Sequence, residues 1–240
     1  MDKYIDTHCH IIPWVDDGSE NMKESRAMLK MSYDEGIRCI IATPHHHPLR
    51  GRADLEVIRH NIKLVRKEAV KIDKDFKVFL GMEVFFTHDV PDKIANGTVI
   101  GFNNKKVILL EFSPSDEFSH IVQAVKLVQS SGVDVVMAHC ERYMCLLKDF
   151  EKVRYLMRLG VKLQVNTGSI TGKSGRKVQK FVKHLMEEDF VFCVGTDAHN
   201  TDSRPPEMKD AADYVKKNYG ISYMRKIFYI NPANLLKSSK

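Results

Sequence analysis

Seven short apolar or β-branched runs, at residues 4–9, 39–43, 77–84, 107–112, 134–139, 162–166 and 190–195, alternate with longer stretches of helical period. This alternation constrains the fold more than any other feature, because parallel neighbours in a sheet need a crossover and a helix is the usual one. Ile121, Ala124, Val125 and Val128 follow the i, i+3, i+4, i+7 spacing of a helix face, as do Val153, Leu156, Met157 and Gly160. The expected class is α/β with a parallel sheet, and seven units in 240 residues fit one closed or nearly closed barrel. An open doubly wound sheet is the rival, but no GxGxxG or GxxxxGKS/T follows the first strand to support it. Residues 1–240 contain no repeat, low-complexity tract or Pro/Gly-rich linker, so a single domain is expected. Residues 168–175 read as a loop, and Asn231-Pro232-Ala233-Asn234 as the start of a short docked helix.

Nearly every strand ends in a side chain that can hold a metal. The first gives Asp6-Thr7-His8-Cys9-His10, and residues i and i+2 of a strand share a face, so His8 and His10 form a chelating pair with Cys9 pointing away. Asp16-Asp17-Gly18 follows as a tight acidic turn. The later strands end in Thr43-Pro44-His45-His46-His47, Gly81-Met82-Glu83, Leu110-Glu111-Phe112, Ala138-His139-Cys140-Glu141-Arg142 and Gly195-Thr196-Asp197-Ala198-His199. Any one of these residues alone reads as an ordinary hydrogen-bonded side chain. Together they read as a site, because catalytic groups of barrel enzymes collect at the C-terminal ends of strands, and a carboxylate such as Glu111 is costly beside a buried strand unless it is paired. Imidazole and carboxylate without thiolate suit Mn, Fe or Zn. Nine candidate ligands exceed what one ion can use, so two or three ions are expected.

The formal charge is +6, from 37 Lys and Arg against 31 Asp and Glu, and it is scattered. Clusters such as Lys216-Lys217 carry no interleaved aromatics, which argues against a nucleic-acid partner. No apolar run approaches the ~20 residues that span a bilayer, so no membrane insertion is expected. Five cysteines, an odd number without a CxxC pair, and no leader before Tyr4-Ile5-Asp6 point to the cytoplasm with reduced thiols. Six residues beyond the cysteines stand Val15, His45, Leu146, Glu151 and His199, so no cysteine has the Arg at i+6 that a cysteine-dependent tyrosine phosphatase needs.

The order HxH, DDG, TPH, GxE, LLEF, AHxER and TDAH, with Gln164-Val165-Asn166-Thr167-Gly168-Ser169 and Arg204-Pro205-Pro206, resembles the PHP phosphoesterase superfamily. The match is nearest to its bacterial branch of metal-dependent protein-tyrosine phosphatases, the CpsB/YwqE type, and spans almost the whole chain. The resemblance implies a distorted (β/α)7 TIM-like barrel with a trinuclear site, usually active with Mn, at the C-terminal ends of the strands. It implies that His8, His10, Glu83 and Asp197 hold one ion. Glu83 bridges to a second, completed by Glu111 and His139, and Asp17, His45 and His199 hold the third. Arg142 and Arg204 correspond to the two arginines that serve the phosphate. The implied activity is hydrolysis of phosphotyrosine by in-line attack of a metal-bound hydroxide. The implied substrate is a flexible tail of a bacterial tyrosine kinase of capsule or exopolysaccharide synthesis. Alternatives are a small-molecule phosphatase of the histidinol-phosphate type, a PHP-type nuclease and a non-catalytic metal-binding scaffold. Cys140 stands where the family often has Pro or an apolar residue, and is expected to be an exposed thiol beside the metals. His46 and His47 are expected in a loop.

Overall fold

The computed structural model describes residues 3–51 and 53–237. Nine strands run in parallel: β1 (Tyr4–Cys9), β2 (Ile37–Ala42), β3 (His45–His46), β4 (Lys77–Leu80), β5 (Glu83–Phe85), β6 (Val107–Glu111), β7 (Asp134–Met137), β8 (Lys162–Asn166) and β9 (Val191–Gly195). They form a three-stranded sheet, β1-β2-β4, and a six-stranded sheet, β3-β5-β6-β7-β8-β9. Each of the seven expected runs holds a strand, but two of them pass from one sheet into the other. The 77–84 run divides at Gly81-Met82 into β4 and β5, and the second run stops at Ala42 and resumes as β3. Pro44 has no amide hydrogen to continue a ladder, and the chains stay in step through Gly81 N donating to Ala42 O (2.8 Å) and Glu83 N to Pro44 O (3.1 Å). A Cβ on Gly81 would lie 2.8 Å from Cδ1 of the buried Phe102, so only glycine lets the strand cross over that ring.

The far edges of the two sheets meet. Asp197 N donates to His8 O (2.8 Å), His10 N to Ala198 O (2.8 Å), and Thr7 Oγ1 to Val194 O (2.9 Å), which seats the end of β1 against the residues after β9. A small inner core, Ile5, Cys39, Ile41, Phe102, Leu109, Val136, Ala138, Cys193 and Leu235, fills the space beneath these strand ends. The main core lies between strands and helices and takes Ile121, Ala124, Val125 and Val128 of the helix Phe118–Gln129, as their spacing predicts. Val153 and Leu156 are buried on the helix Phe150–Arg158, but Gly160 lies beyond its end with φ +77, so it stops the helix rather than belonging to its face. The stretch expected as a loop after β8 begins with a short helix, Thr167–Thr171, and turns at Gly172 and Gly175, both at positive φ. The C-terminal helix Asn231–Leu236 is present as expected, docked through Pro232 and Leu235. No helix among the described residues is long and apolar enough to cross a membrane.

Candidate metal centre

All nine predicted ligands are brought together, most of them at or just beyond the C-terminal ends of strands, with His45 and Glu83 at the starts of the short strands β3 and β5. His8 lies one residue before the end of β1 and His10 follows the strand; His45 opens β3, Glu83 opens β5, Glu111 closes β6, His139 follows β7, and Asp197 and His199 follow β9. Asp17 reaches in from the acidic turn. Every one but Asp17 is buried. In β1 the pairing with β2 slips between Asp6 and Cys9, and such an irregularity re-aims side chains. Ile5 therefore faces the inner core while Cys9 packs in the main core, leaving His8 and His10 on the metal side. Ala138 also faces the inner core, so simple alternation would turn His139 outward. Its left-handed backbone, φ +29, breaks the alternation, and Asp197 likewise adopts φ +56. Positive φ in a residue with a side chain stores strain, and such strain clusters at functional sites.

Glu83 is the hub. Its Oε2 lies 3.1 Å from His8 Nε2, 3.2 Å from His10 Nε2 and 3.0 Å from His45 Nδ1, and its Oε1 lies 2.8 Å from His139 Nε2. Asp197 Oδ1 stands 3.4 Å and 3.6 Å from His8 and His10. Asp17 Oδ1 stands 3.3 Å from His45 Nε2 and 3.6 Å from His199 Nε2. Glu111 Oε1 is 3.7 Å from His139. Three groups of donor atoms, each within 4.8 Å of one another, are suited to hold a cation: His10, Asp17, His45 and His199; His8, His10 and Asp197; and His45, Glu83 and Glu111. The groups share His10 and His45 and together hold eight of the nine residues, while His139 joins through Glu83, so the geometry does not divide them into the three sets that the resemblance implies.

The donor set fits divalent ions on two further observations. Buried His45 Nε2, His139 Nδ1, His199 Nε2 and Glu111 Oε2 make no hydrogen bond to any described residue, a costly condition unless something else satisfies them. The electrostatics agree. Burial, with Glu83 repelling it, pushes the Glu111 carboxyl up to about 8. Burial and the neighbouring His10 push His199 down to about 2. Burial also opposes charge on Glu83 and Asp197, yet the facing histidines, with Arg142 beside Asp197, hold both well below the usual carboxylate range. Carboxylates crowded this closely need cations between them.

A second layer of residues aims the ligands, and the sequence reading gave these residues no role. Asp16 Oδ2 binds His10 Nδ1 (2.8 Å) and accepts from His45 N (2.9 Å). Burial disfavours a charged His10, but Asp16, with Glu83 behind it, pushes its pKa up to about 10. A histidine ligand oriented by a carboxylate on its other nitrogen is a recurring device of metal sites. Gln164 Oε1 meets His8 Nδ1 (3.2 Å) and accepts from His139 N (2.8 Å), and Asn166 Nδ2 donates to Asp197 Oδ2 (3.0 Å). Asp6 holds Thr196 through its amide (2.9 Å) and hydroxyl (2.6 Å), fixing the turn that carries Asp197. Gly18 lets the acidic turn close, since a Cβ there would lie 2.3 Å from His10 O. The legible signals were two: an acid beside Asp17 in the DDG turn, and a polar i, i+2 pair inside an apolar strand.

Arg142 Nη2 lies 2.6 Å from Asp197 Oδ2 and Arg204 Nη2 lies 2.7 Å from Asp197 Oδ1. The two predicted arginines thus converge on one carboxylate at the edge of the cluster. Two expectations need correction. Cys140 is fully buried in the main core and burial raises its thiol well above the usual range, so it is neither exposed nor poised to oxidise. His46 belongs to β3 and lines a cavity of ≈ 440 Å³ together with Met82, Phe85, Thr87 and Lys93. His47 lies in the loop after β3 as expected, buried with its ring 4.4 Å from that of Phe85.

Comparison with known proteins places this geometry. The family model for capsular polysaccharide synthesis proteins, CpsB/CapC, matches residues 4–237. Tyrosine-protein phosphatase CpsB of Streptococcus pneumoniae is 32% identical over 237 residues, covering 97% of this chain and 98% of its own. Tyrosine-protein phosphatase YwqE of Bacillus subtilis is 30% identical over 216 residues, covering 90% and 85%. A crystal structure from the study of YwqE and CpsB, described there as metal-dependent tyrosine phosphatases, superposes with a TM-score of 0.90 at 28% identity, covering 98% of this chain and 95% of the other. A lactonase from Listeria monocytogenes, 12% identical with a TM-score of 0.64, shares the fold alone. With nearly its whole length matched, and the strand-end cluster assembled where the motifs predict it, this chain belongs to the CpsB/CapC family.

Proposed function

We propose that this chain is a metal-dependent protein-tyrosine phosphatase, a single domain whose substrate is a phosphotyrosine tail of a bacterial tyrosine kinase in capsule or exopolysaccharide synthesis. The observation that carries the reading is the buried His/Asp/Glu cluster with two arginines converging on its edge at Asp197. The family description and the names of the relatives support the substrate class. A distorted (β/α)7 barrel is supported by seven chain runs, two of them crossing between sheets, and by the contact of β1 with the residues after β9. The five free cysteines suit a reducing cytoplasm.

His8, His10, Asp17, His45, Glu83, Glu111, His139, Asp197 and His199 would hold three divalent ions, Mn in the first instance, with Fe or Zn as the other fits. When bound, such ions polarise phosphoryl oxygens and lower the pKa of water for in-line displacement. The chain's own residues do the rest. Arg142 and Arg204 leave Asp197 for the phosphoryl group, each presenting a planar fork that can pair two oxygens. Asp16, Gln164 and Asn166 hold His10, His8 and Asp197 in place, so that little reorganisation accompanies the reaction.

Side-by-side assays on a phosphotyrosyl peptide and on histidinol phosphate, with Mn supplied, test this reading. The peptide is expected to be favoured in kcat/KM by at least about tenfold, roughly 1.4 kcal/mol. A preference for histidinol phosphate would replace the protein substrate by a small phosphate ester.

A further inference from the structure

The loop after β3 carries a third arginine that the phosphate-binding pair leaves unused. Residues 47–51 form a tight hairpin in which His47 N donates to Gly51 O (3.3 Å), Gly51 N to His47 O (3.4 Å) and Leu49 N to His47 Nδ1 (3.0 Å). Gly51 presses this hairpin onto the metal centre, for a Cβ there would lie 2.5 Å from His45 O and 3.2 Å from Asp16 Cβ. At its tip Leu49 is 87% exposed. Arg50 reaches back until its Nη1 lies 3.7 Å from Glu111 Oε1, an ion pair longer than a hydrogen bond. Arg142 and Arg204 instead meet at Asp197, which follows β9, three strands along the sheet from the β6 that carries Glu111. Guanidinium groups therefore stand at two separate sides of the centre.

We propose that the 47–51 hairpin reads the protein chain around the reacting phosphotyrosine, and that Arg50 pairs with a second anionic group of the substrate beside it. This rests on the phosphotyrosine reading above. A carboxylate side chain and a neighbouring phosphotyrosine share the chemistry, since a guanidinium fork pairs with either. A cation near Glu111 would share that carboxylate's charge and loosen its hold on Arg50. Leu49, at the exposed tip, supplies apolar surface on which a flexible segment can lie.

The test uses the metal-loaded protein and three peptides of equal length that differ only beside one phosphotyrosine: a neutral residue, a Glu, or a second phosphotyrosine. The wild type is expected to favour a charged neighbour over the neutral one about three- to fivefold in kcat/KM, mostly through KM. Arg50→Gln is expected to bring that ratio to about one, and Arg50→Glu to invert it. A preference confined to one charged peptide identifies the source of the anion. No preference in the wild type, or a ratio unchanged in Arg50→Gln, overturns the proposal. So does an equal fall on all three peptides, which would mean that Arg50 acts through Glu111. Fluorescence anisotropy of the same peptides reads the ratio without turnover. Failure to hydrolyse any of them would then fall on the phosphatase reading, while the binding ratio still decides the role of Arg50.

Discussion

Glu83→Gln is expected to lower kcat/KM on a phosphotyrosyl peptide by at least about a thousandfold, roughly 4 kcal/mol, and to lower the metal held per chain. Among the described residues Glu83 is the one carboxylate that touches four histidines, His8, His10, His45 and His139. The amide is nearly isosteric but carries no charge and offers one acceptor in place of two. It also leaves the His10 ring, whose pKa Asp16 and Glu83 raise, with one anion fewer to face. Activity and metal content are measured on the same preparation, with circular dichroism to establish that the variant is folded. Wild-type metal content with activity within tenfold would remove Glu83 from the centre.

Arg142→Ala and Arg204→Ala are each expected to lower kcat by about 10²–10³, the usual cost of losing a positioned donor to a developing charge. Metal content should stay near the wild-type value, because neither guanidinium is itself a metal donor: Arg142 takes Asp197 Oδ2, away from His8 and His10, and Arg204 shares Oδ1 with them without replacing either histidine. Lysine at either position should recover only part of the loss, since a point charge lacks the fork. Loss confined to KM, or loss of metal together with activity, would make these arginines supports of Asp197 rather than binders of phosphate.

The strands and the clustering of the nine candidate ligands were legible because each leaves a local mark: an apolar run, then a His, Asp or Glu near its end. The i, i+2 rule paired His8 with His10 correctly, with Cys9 turned into the main core. What stayed hidden depends on contacts far apart in sequence. Nothing local in the apolar 77–84 run shows that it changes sheet at Gly81, because the cause is the ring of Phe102. Asp16 and Asp17 are identical in type and adjacent, yet Asp16 is buried against His10 while Asp17 lines the mouth; only the closing of the turn over Gly18 separates them. His139 enters the site through a left-handed backbone that no residue pattern announces. Cys140 is hidden for a related reason: the turn that swings His139 inward buries its neighbour.

The most direct measurement is phosphate release from a phosphotyrosyl peptide by chelator-treated protein as Mn is titrated back. No release is expected without metal, and activity should return and saturate only above one Mn per chain, as a shared set of nine ligands requires. Release that persists without metal, or full activity at a single ion per chain, would contradict a multinuclear centre.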